Sequence, residues 1–112
     1  MKKVEAVIRP GMIETVKTIA DGIGAGGMTV SSVLGCGAQK GIKEMYRGTE
    51  MTINLLNKVK VEIVVPDSLM EPLVDALLRA LRTGAVGDGK IFVYPVEEVI
   101  RIRTGERGND AL

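Results

Sequence analysis

The stretch KVKVEIVV, residues 58–65, decides the fold, because apolar and polar side chains alternate along it. An extended chain places every second side chain on the same face. One face is then entirely aliphatic and consists of Val59, Val61, Ile63 and Val65. The opposite face is mostly charged and consists of Lys58, Lys60, Glu62 and Val64. This period of two predicts a β-strand that buries one face.

A helix and a further strand are predicted to follow this segment. The apolar residues of the helix recur at spacings of four, three and four, and are Met70, Val74, Leu77 and Leu81. Ser68 with Glu71 predicts a capping box at its start, and Pro72 is compatible only with the first turn. The pattern ends at Gly84, and KIFVYPV, residues 90–96, has the composition of a strand.

The first half of the chain repeats this order of elements. Residues 3–9, KVEAVIR, alternate as a strand does. The helical stripe that follows also has spacings of four, three and four, and consists of Met12, Val16, Ile19 and Ile23. The glycines of DGIGAGG, residues 21–27, end this helix, and MTVSSVLGCG, residues 28–37, is predicted to form the second strand.

Two strand–helix–strand units predict an α+β, ferredoxin-like (βαβ)2 fold for residues 1–112 as a single domain. Its four-stranded antiparallel sheet would carry both helices on one face. The other face, which includes Val7 and Val64, would lack a cover. Because an uncovered apolar face is commonly buried between subunits, we expect a closed homo-oligomer.

Composition excludes several classes of function. The formal net charge is +1, so no overall field attracts nucleic acid. The chain has no histidine and one cysteine, Cys36, so the usual catalytic triads and zinc clusters are unavailable to it. It has no apolar run long enough for a membrane span or a signal peptide, which predicts a cytoplasmic protein without direct membrane insertion.

A long connection between the second and third strands, residues 37–57, has the sequence GAQKGIKEMYRGTEMTINLLN. It exceeds the ~12–15 residues above which unstructured connections are uncommon. Its polar residues together with Tyr46 and Met51 suit a mobile arm that docks on a partner protein. The alternative is a β-ribbon extension of the hairpin with no role beyond length.

The segment RTGAVGDGKIF, residues 82–92, is one residue short of a Walker phosphate loop, because Ile91 stands where serine or threonine is required. The order is also reversed, since the segment follows a helix and precedes a strand. What remains is a glycine-rich path with free amides beside Lys90, in which Asp88 is expected to hold the turn by an Asx bond. Taken alone, the segment is equally a plain surface turn.

A pair of arginines strengthens the case for an anion site. VIRIR, residues 99–103, is predicted to be extended, so Arg101 and Arg103 would point the same way and suit a phosphate. A solvated strand face is the alternative for this pair, as it is for Lys58 and Lys60. The glycine amides, Lys90 and both arginines together favour a polyphosphate site that binds without rapid turnover.

Six blocks in this order make the chain resemble the PII nitrogen-signalling family over nearly its whole length: KVEAVIRP, MTVSSVLGCGAQKG, EMYRG, KVKVEIVVPD, RTGAVGDGKIFV and IRIRTGERG. The resemblance implies a cytoplasmic homotrimer of ferredoxin-like subunits with nucleotide between them. It implies ATP or ADP as ligands, and 2-oxoglutarate together with Mg-ATP. It also implies a regulator of nitrogen metabolism and not an enzyme.

The resemblance assigns roles to positions. Residues 82–90 are similar to the family's B-loop, with Gly87, Asp88, Gly89 and Lys90 on the phosphates. Residues 101–109 are similar to the C-loop of the neighbouring subunit, which would supply Arg101 and Arg103. The remaining nucleotide-lining residues would be Thr29, Gly35, Gly37, Glu62, Val64 and Thr83.

The second ligand site and the partner-binding loop are implied in the same way. Gln39 would join the Mg²⁺ shell, and Lys58 would pair with the distal carboxylate of 2-oxoglutarate, with Lys40 and Gly41 beside it. Residues 37–57 are similar to the T-loop, which would present Tyr46, Arg47, Glu50 and Met51 to partners. The family's targets are the ammonium transporter, glutamine synthetase, transcription regulators and biosynthetic enzymes.

The chain departs from the family pattern at several positions. Met51 stands where uridylylated members carry tyrosine, which excludes that modification there, and Thr49 replaces a serine that some members phosphorylate. Ala38 replaces an arginine beside the phosphates, which predicts an altered nucleotide preference. Cys36 replaces the commoner phenylalanine and is expected to act as a small hydrophobe.

Two other classes of function are alternatives to the adaptor. A small nucleotide-phosphate-processing enzyme on the same fold would show turnover, and the chain lacks a histidine to act as its base. A single-stranded RNA binder would need stacking aromatics on the open face, and aromatic residues are only 3% of the chain.

Overall fold

A computed structural model describes residues 1–36, 42–46, 49–53 and 55–112, with 42–46 and 49–53 described by their backbone alone. It contains six strands, β1 (Lys2–Ile8), β2 (Thr29–Gly35), β3 (Ile42–Tyr46), β4 (Thr49–Ile53), β5 (Leu56–Val65) and β6 (Lys90–Pro95). The helices are α1 (Ile13–Ile23) and α2 (Asp67–Leu81), and short 3-10 turns cover Pro10–Met12 and Gly108–Ala111.

Four of the strands form an antiparallel sheet in the order β2-β5-β1-β6. The central strand pair places Val4 opposite Ile63, and on its other side Val4 lies opposite Val93 of β6. The two strands that the alternating pattern marked most clearly, β1 and β5, are therefore the inner strands of the sheet. The ferredoxin-like prediction is confirmed.

The core lies between the sheet and both helices. The predicted alternation is confirmed, because the aliphatic face of β5 and the matching face of β1 are buried, as Val4, Ala6, Ile8, Val59, Val61, Ile63 and Val65. The helices contribute Val16 and Ala20 from α1 and Leu73, Leu77 and Leu81 from α2. The opposite face of the sheet is half-buried or exposed, and Phe92 and Tyr94 on β6 are each more than 40% exposed.

The predicted capping box at the start of α2 is wrong. The helix begins at Asp67, directly after Pro66, and no side chain caps it. Ser68 is therefore inside the helix, where its hydroxyl cannot bond the amides that a cap would serve. Pro72 lies inside the helix and not in its first turn. It lacks the amide that would otherwise donate to the carbonyl of Ser68.

The predicted extended segment at residues 99–103 is also wrong. Only Ile100 forms a bridge, with Arg107, and residues 102–104 form a turn. The amide of Gly105 donates to the carbonyl of Arg101 at 2.7 Å, and the amide of Arg101 donates to the carbonyl of Glu106 at 2.9 Å. Residues 101–106 therefore form a hydrogen-bonded turn, and Arg101 and Arg103 are not alternate residues of one strand.

The long connection contains a two-stranded ribbon. Strands β3 and β4 pair antiparallel from Ile42 opposite Ile53 to Tyr46 opposite Thr49. The ribbon geometry of the alternative is therefore present in the backbone, but the pairing does not test whether the segment has a role. Docking on a partner protein stays a prediction.

Truncating a core leucine tests the layer between α2 and the sheet. Leu77 is fully buried, whereas its neighbour Leu78 is 38% exposed. We expect Leu77→Ala to lower the free energy of unfolding by about 2–5 kcal/mol, because it removes buried methyl groups and leaves a cavity. Leu78→Ala is the matched control and should cost clearly less in urea unfolding at the same protein concentration. Equal losses would contradict this assignment of the core.

Candidate functional site

The glycine-rich segment forms a loop between the end of α2 and the start of β6. Gly84, Gly87 and Gly89 all have positive φ, at 83°, 101° and 100°. This region of backbone space is open mainly to glycine. The path is thus a sequence of sharp turns and not a helix N-terminus, which agrees with setting aside the Walker match.

The carboxylate of Asp88 organises this loop. It accepts from the amide of Thr83 at 2.8 Å, from the amide of Gly84 at 2.9 Å and from the hydroxyl of Thr83. The donors precede Asp88 in the sequence. Asp88 therefore holds the turn as expected, but it does not form an Asx turn, in which the side chain would accept from the amide of a following residue. The hydrogen bonds from Thr83 and Arg9 hold the pKa of Asp88 well below its usual range.

Arg9 is a site residue that the sequence analysis missed. One of its guanidinium nitrogens, Nη1, lies 2.6 Å from Oδ1 of Asp88, and Nη2 donates to the carbonyl of Val86 at 3.1 Å. The two partners are 79 residues apart, so no local pattern connects them. The only signal in the sequence is a cation at the end of a strand, which is ordinary.

Lys58 holds the same loop from the neighbouring strand. Its ammonium donates to the carbonyl of Gly87 at 3.0 Å. The β1–β5 register ends with Ile8 opposite Val59, so Arg9 and Lys58 follow as neighbours at the end of the sheet. Two adjacent cations therefore bind the two consecutive carbonyls of Val86 and Gly87.

The amides of this loop divide into two groups. Those of Thr83, Gly84 and Ala85 donate to Asp88 or to the Thr83 hydroxyl. None of the amides of residues 86–89 makes a hydrogen bond of ordinary geometry to an acceptor within the part of the chain that the structure describes. Lys90 follows at the first, exposed position of β6. This combination of successive amides and a cation can bind an anion such as a phosphate.

The other predicted nucleotide-lining residues fall into two places. Gly35 pairs with Leu56 at the end of β2, where an added Cβ would lie 3.2 Å from Cγ of Lys58, so it adjoins the loop. Thr29 pairs with Glu62, whose carboxylate accepts from Lys3 at 3.1 Å. Four residues of strand, roughly 13 Å, separate Glu62 from Lys58, and Val64 is farther still. A single chain does not bring Thr29, Glu62 and Val64 to its own glycine loop.

The two arginines of the C-terminal segment do not bond to the glycine loop in the part of the chain that the structure describes. Arg101 contacts Oε1 of Glu106 through Nη1 and the carbonyl of Leu112 through Nη2, both at 3.1 Å. Arg103 is exposed in the turn. Among the described residues of one chain, no hydrogen bond or ion pair joins either arginine to residues 83–90.

Comparison with known proteins identifies the family. The family model for nitrogen regulatory protein P-II matches residues 1–106. The chain belongs to the P-II family. It is 55% identical to the nitrogen regulatory protein P-II of Nostoc punctiforme, 52% to that of Azospirillum brasilense and 50% to that of Haemophilus influenzae. Each comparison covers 112 residues and the full length of both chains.

Membership of the P-II family confirms the resemblance and gives the chain a regulatory signalling role in nitrogen metabolism. Within the described ranges, neither helix has the length and apolar character needed to span a bilayer. The fold and its glycine loop are thus the framework of a P-II signalling protein.

Several predicted positions of this P-II chain lie outside the described residues: Gly37, Ala38, Gln39, Lys40, Gly41 and Arg47. Three others are placed by their backbone alone, Tyr46 in β3 and Glu50 and Met51 in β4. The roles predicted for all of them in ligand or partner binding stay predictions.

Glycine substitutions test the geometry of the loop. A Cβ at Gly89 would overlap the carbonyl oxygen of Val7, whereas a Cβ at Gly84 would meet nothing within 4 Å. Both positions share the strain of positive φ. We therefore expect Gly89→Ala to lower the melting temperature clearly more than Gly84→Ala in parallel thermal scans. Equal effects would mean that only the dihedral angle matters.

Proposed function

We infer that this P-II chain binds ATP or ADP at its glycine loop and, together with Mg-ATP, binds 2-oxoglutarate. It then regulates nitrogen-metabolism proteins through residues 37–57. The observation that carries this proposal is the set of amides of residues 86–89, which make no hydrogen bond of ordinary geometry to any described residue and lie beside Lys90. Family membership supports the signalling role, and the geometry supports an anion as the ligand.

The phosphate chain would lie against the amides of Gly87, Asp88 and Gly89. Asp88 would take part through its main-chain amide, because its carboxylate is already engaged by Thr83, Gly84 and Arg9. That engagement also removes the one carboxylate of this loop from use as a base or a metal ligand. ATP would therefore be bound without rapid hydrolysis, whereas a nucleotide-processing enzyme would turn it over.

A second subunit would complete the site. Thr29, Glu62 and Val64 lie on the sheet far from their own glycine loop, and Arg101 and Arg103 make no bond to it. In a homotrimer, these groups would meet the loop of the neighbouring subunit. The half-exposed face of the sheet, with Phe92 and Tyr94, is the apolar surface that such an assembly would cover.

The 2-oxoglutarate site would adjoin the nucleotide through Lys58. An ammonium group has three donors, and one of those on Lys58 serves the carbonyl of Gly87. The others would reach a carboxylate, while Gln39 would ligate Mg²⁺ shared with ATP, and Lys40 and Gly41 would flank the ligand. A shared metal makes each ligand strengthen the binding of the other.

Loop position would report both ligands to partner proteins in the cytoplasm. Candidate partners are an ammonium transporter, glutamine synthetase and transcription regulators, contacted by Tyr46, Arg47, Glu50 and Met51. Because Met51 has no hydroxyl, signalling at this position would depend on ligands and not on uridylylation.

Calorimetry tests the proposal directly. ATP is titrated into the purified protein with and without Mg²⁺ and 2-oxoglutarate, and ATP hydrolysis is followed in the same samples. We expect ATP to bind, 2-oxoglutarate to bind only with Mg-ATP, and hydrolysis to be negligible. Binding of ATP that is indifferent to 2-oxoglutarate would contradict the second ligand and point to Ala38. Steady turnover would favour the enzyme.

Removing the cation beside the amides gives a second test. Lys90→Gln should weaken ATP binding by about 1–3 kcal/mol, because a hydrogen bond to a charged phosphate is lost. Lys17→Gln is the control, since Lys17 pairs with Asp21 on the exposed side of α1. An unchanged affinity in Lys90→Gln would show that this side chain faces solvent in the complex.

A further inference from the structure

We propose that Arg9 is a positioning residue that aims the phosphate-binding amides of the glycine loop and neutralises the carboxylate beside them. The proposal rests on the nucleotide binding proposed above. It names a residue that no local sequence pattern indicates, at the end of β1 and 79 residues from its partner Asp88.

The first part of the argument concerns the direction of the amides. In a trans peptide, the N–H of each residue points opposite to the carbonyl of the residue before it. Arg9 binds the carbonyl of Val86, so the N–H of Gly87 points away from Arg9. Lys58 binds the carbonyl of Gly87, so the N–H of Asp88 points away from Lys58. Because Arg9 and Lys58 are neighbours at the sheet end, both amides point away from this pair of cations.

The second part concerns charge. The Asp88 carboxylate lies in the same loop as the amides that would hold phosphate, and an unpaired anion there would repel the ligand. Arg9 lies 2.6 Å from this carboxylate and compensates its charge. The repulsion that follows from removing Arg9 should increase with the charge of the ligand, from AMP to ADP to ATP.

An ordinary surface ion pair would behave differently. The side chains of Arg9 and Asp88 are 38% and 22% exposed, and pairs near the surface contribute little to global stability. Arg9, however, binds both the Asp88 carboxylate and the carbonyl of Val86, whereas a simple ion pair needs only the carboxylate. A structural role alone would change the melting temperature, whereas a positioning role changes nucleotide affinity according to phosphate number.

The experiment compares Arg9→Gln, Arg9→Lys and the control Lys17→Gln. Lys17 forms a more exposed ion pair with Asp21 at 2.9 Å, so its variant removes one cation away from the loop. Dissociation constants for ATP, ADP and AMP are measured by calorimetry, and melting temperatures are measured on the same preparations. Amide resonances of residues 83–89 are followed by NMR without ligand.

Arg9→Gln should weaken ATP binding by roughly tenfold or more, which is the size of effect expected when a hydrogen bond between charged groups is lost. The same substitution should weaken AMP binding least. Arg9→Lys keeps the charge but replaces the two separate guanidinium nitrogens with a single nitrogen, so we expect a smaller loss of affinity that is similar for all three nucleotides. Resonances of Gly87 and Asp88 should shift in both variants, while Lys17→Gln matches the wild type.

The outcomes separate the two proposals. If the wild-type protein binds no nucleotide, the proposed function fails and this inference fails with it. If the wild type binds ATP and Arg9→Gln binds all three nucleotides as the wild type does, only the role of Arg9 is overturned. An equal loss for the three nucleotides in Arg9→Gln, with a lowered melting temperature, would also overturn it. If Arg9→Gln does not fold, an unchanged ATP affinity in Arg9→Lys would overturn the role of Arg9.

Discussion

The contact between Arg9 and Asp88 is the constraint on which the glycine loop depends. It joins the end of the first strand to a turn near the other end of the chain. Asp88 in turn gathers the amides of Thr83 and Gly84, and Lys58 fixes the next carbonyl. The loop is thus held from the sheet by charged groups, although its glycines alone would leave it many conformations.

This arrangement suits a protein that reports ligands. In the proposed anion site, a loop that is already ordered would spend little binding free energy on ordering, so the charge and shape of the ligand would decide its affinity. The sheet supplies the rigid base, because its inner strands carry the buried aliphatic face that packs on α1 and α2. A single chain presents only part of the predicted site, since Thr29 and Glu62 lie on the open face and away from the loop.

The incorrect predictions share a cause. The Ser68 capping box and the extended arrangement of Arg101 and Arg103 were both inferred from spacing within a few residues. In the structure, Pro66 sets the start of α2, and Arg101 turns to bind Glu106 and the carbonyl of Leu112. A local pattern indicates what a segment can form, but neighbouring residues with stronger constraints choose among the possibilities.

Strands β1, β2, β5 and β6, both helices, the buried face and the glycine-rich segment follow from the amino-acid sequence, because hydrophobic period and glycine content are properties of short stretches. Family blocks along the chain likewise pointed to P-II before any coordinates. The contacts of Arg9 and Lys58 with the loop, and the bonds of Asp88 with Thr83 and Gly84, are visible only in the folded chain. Antiparallel pairing brings residues from distant parts of the chain together at one sheet end, and no local spacing records that contact.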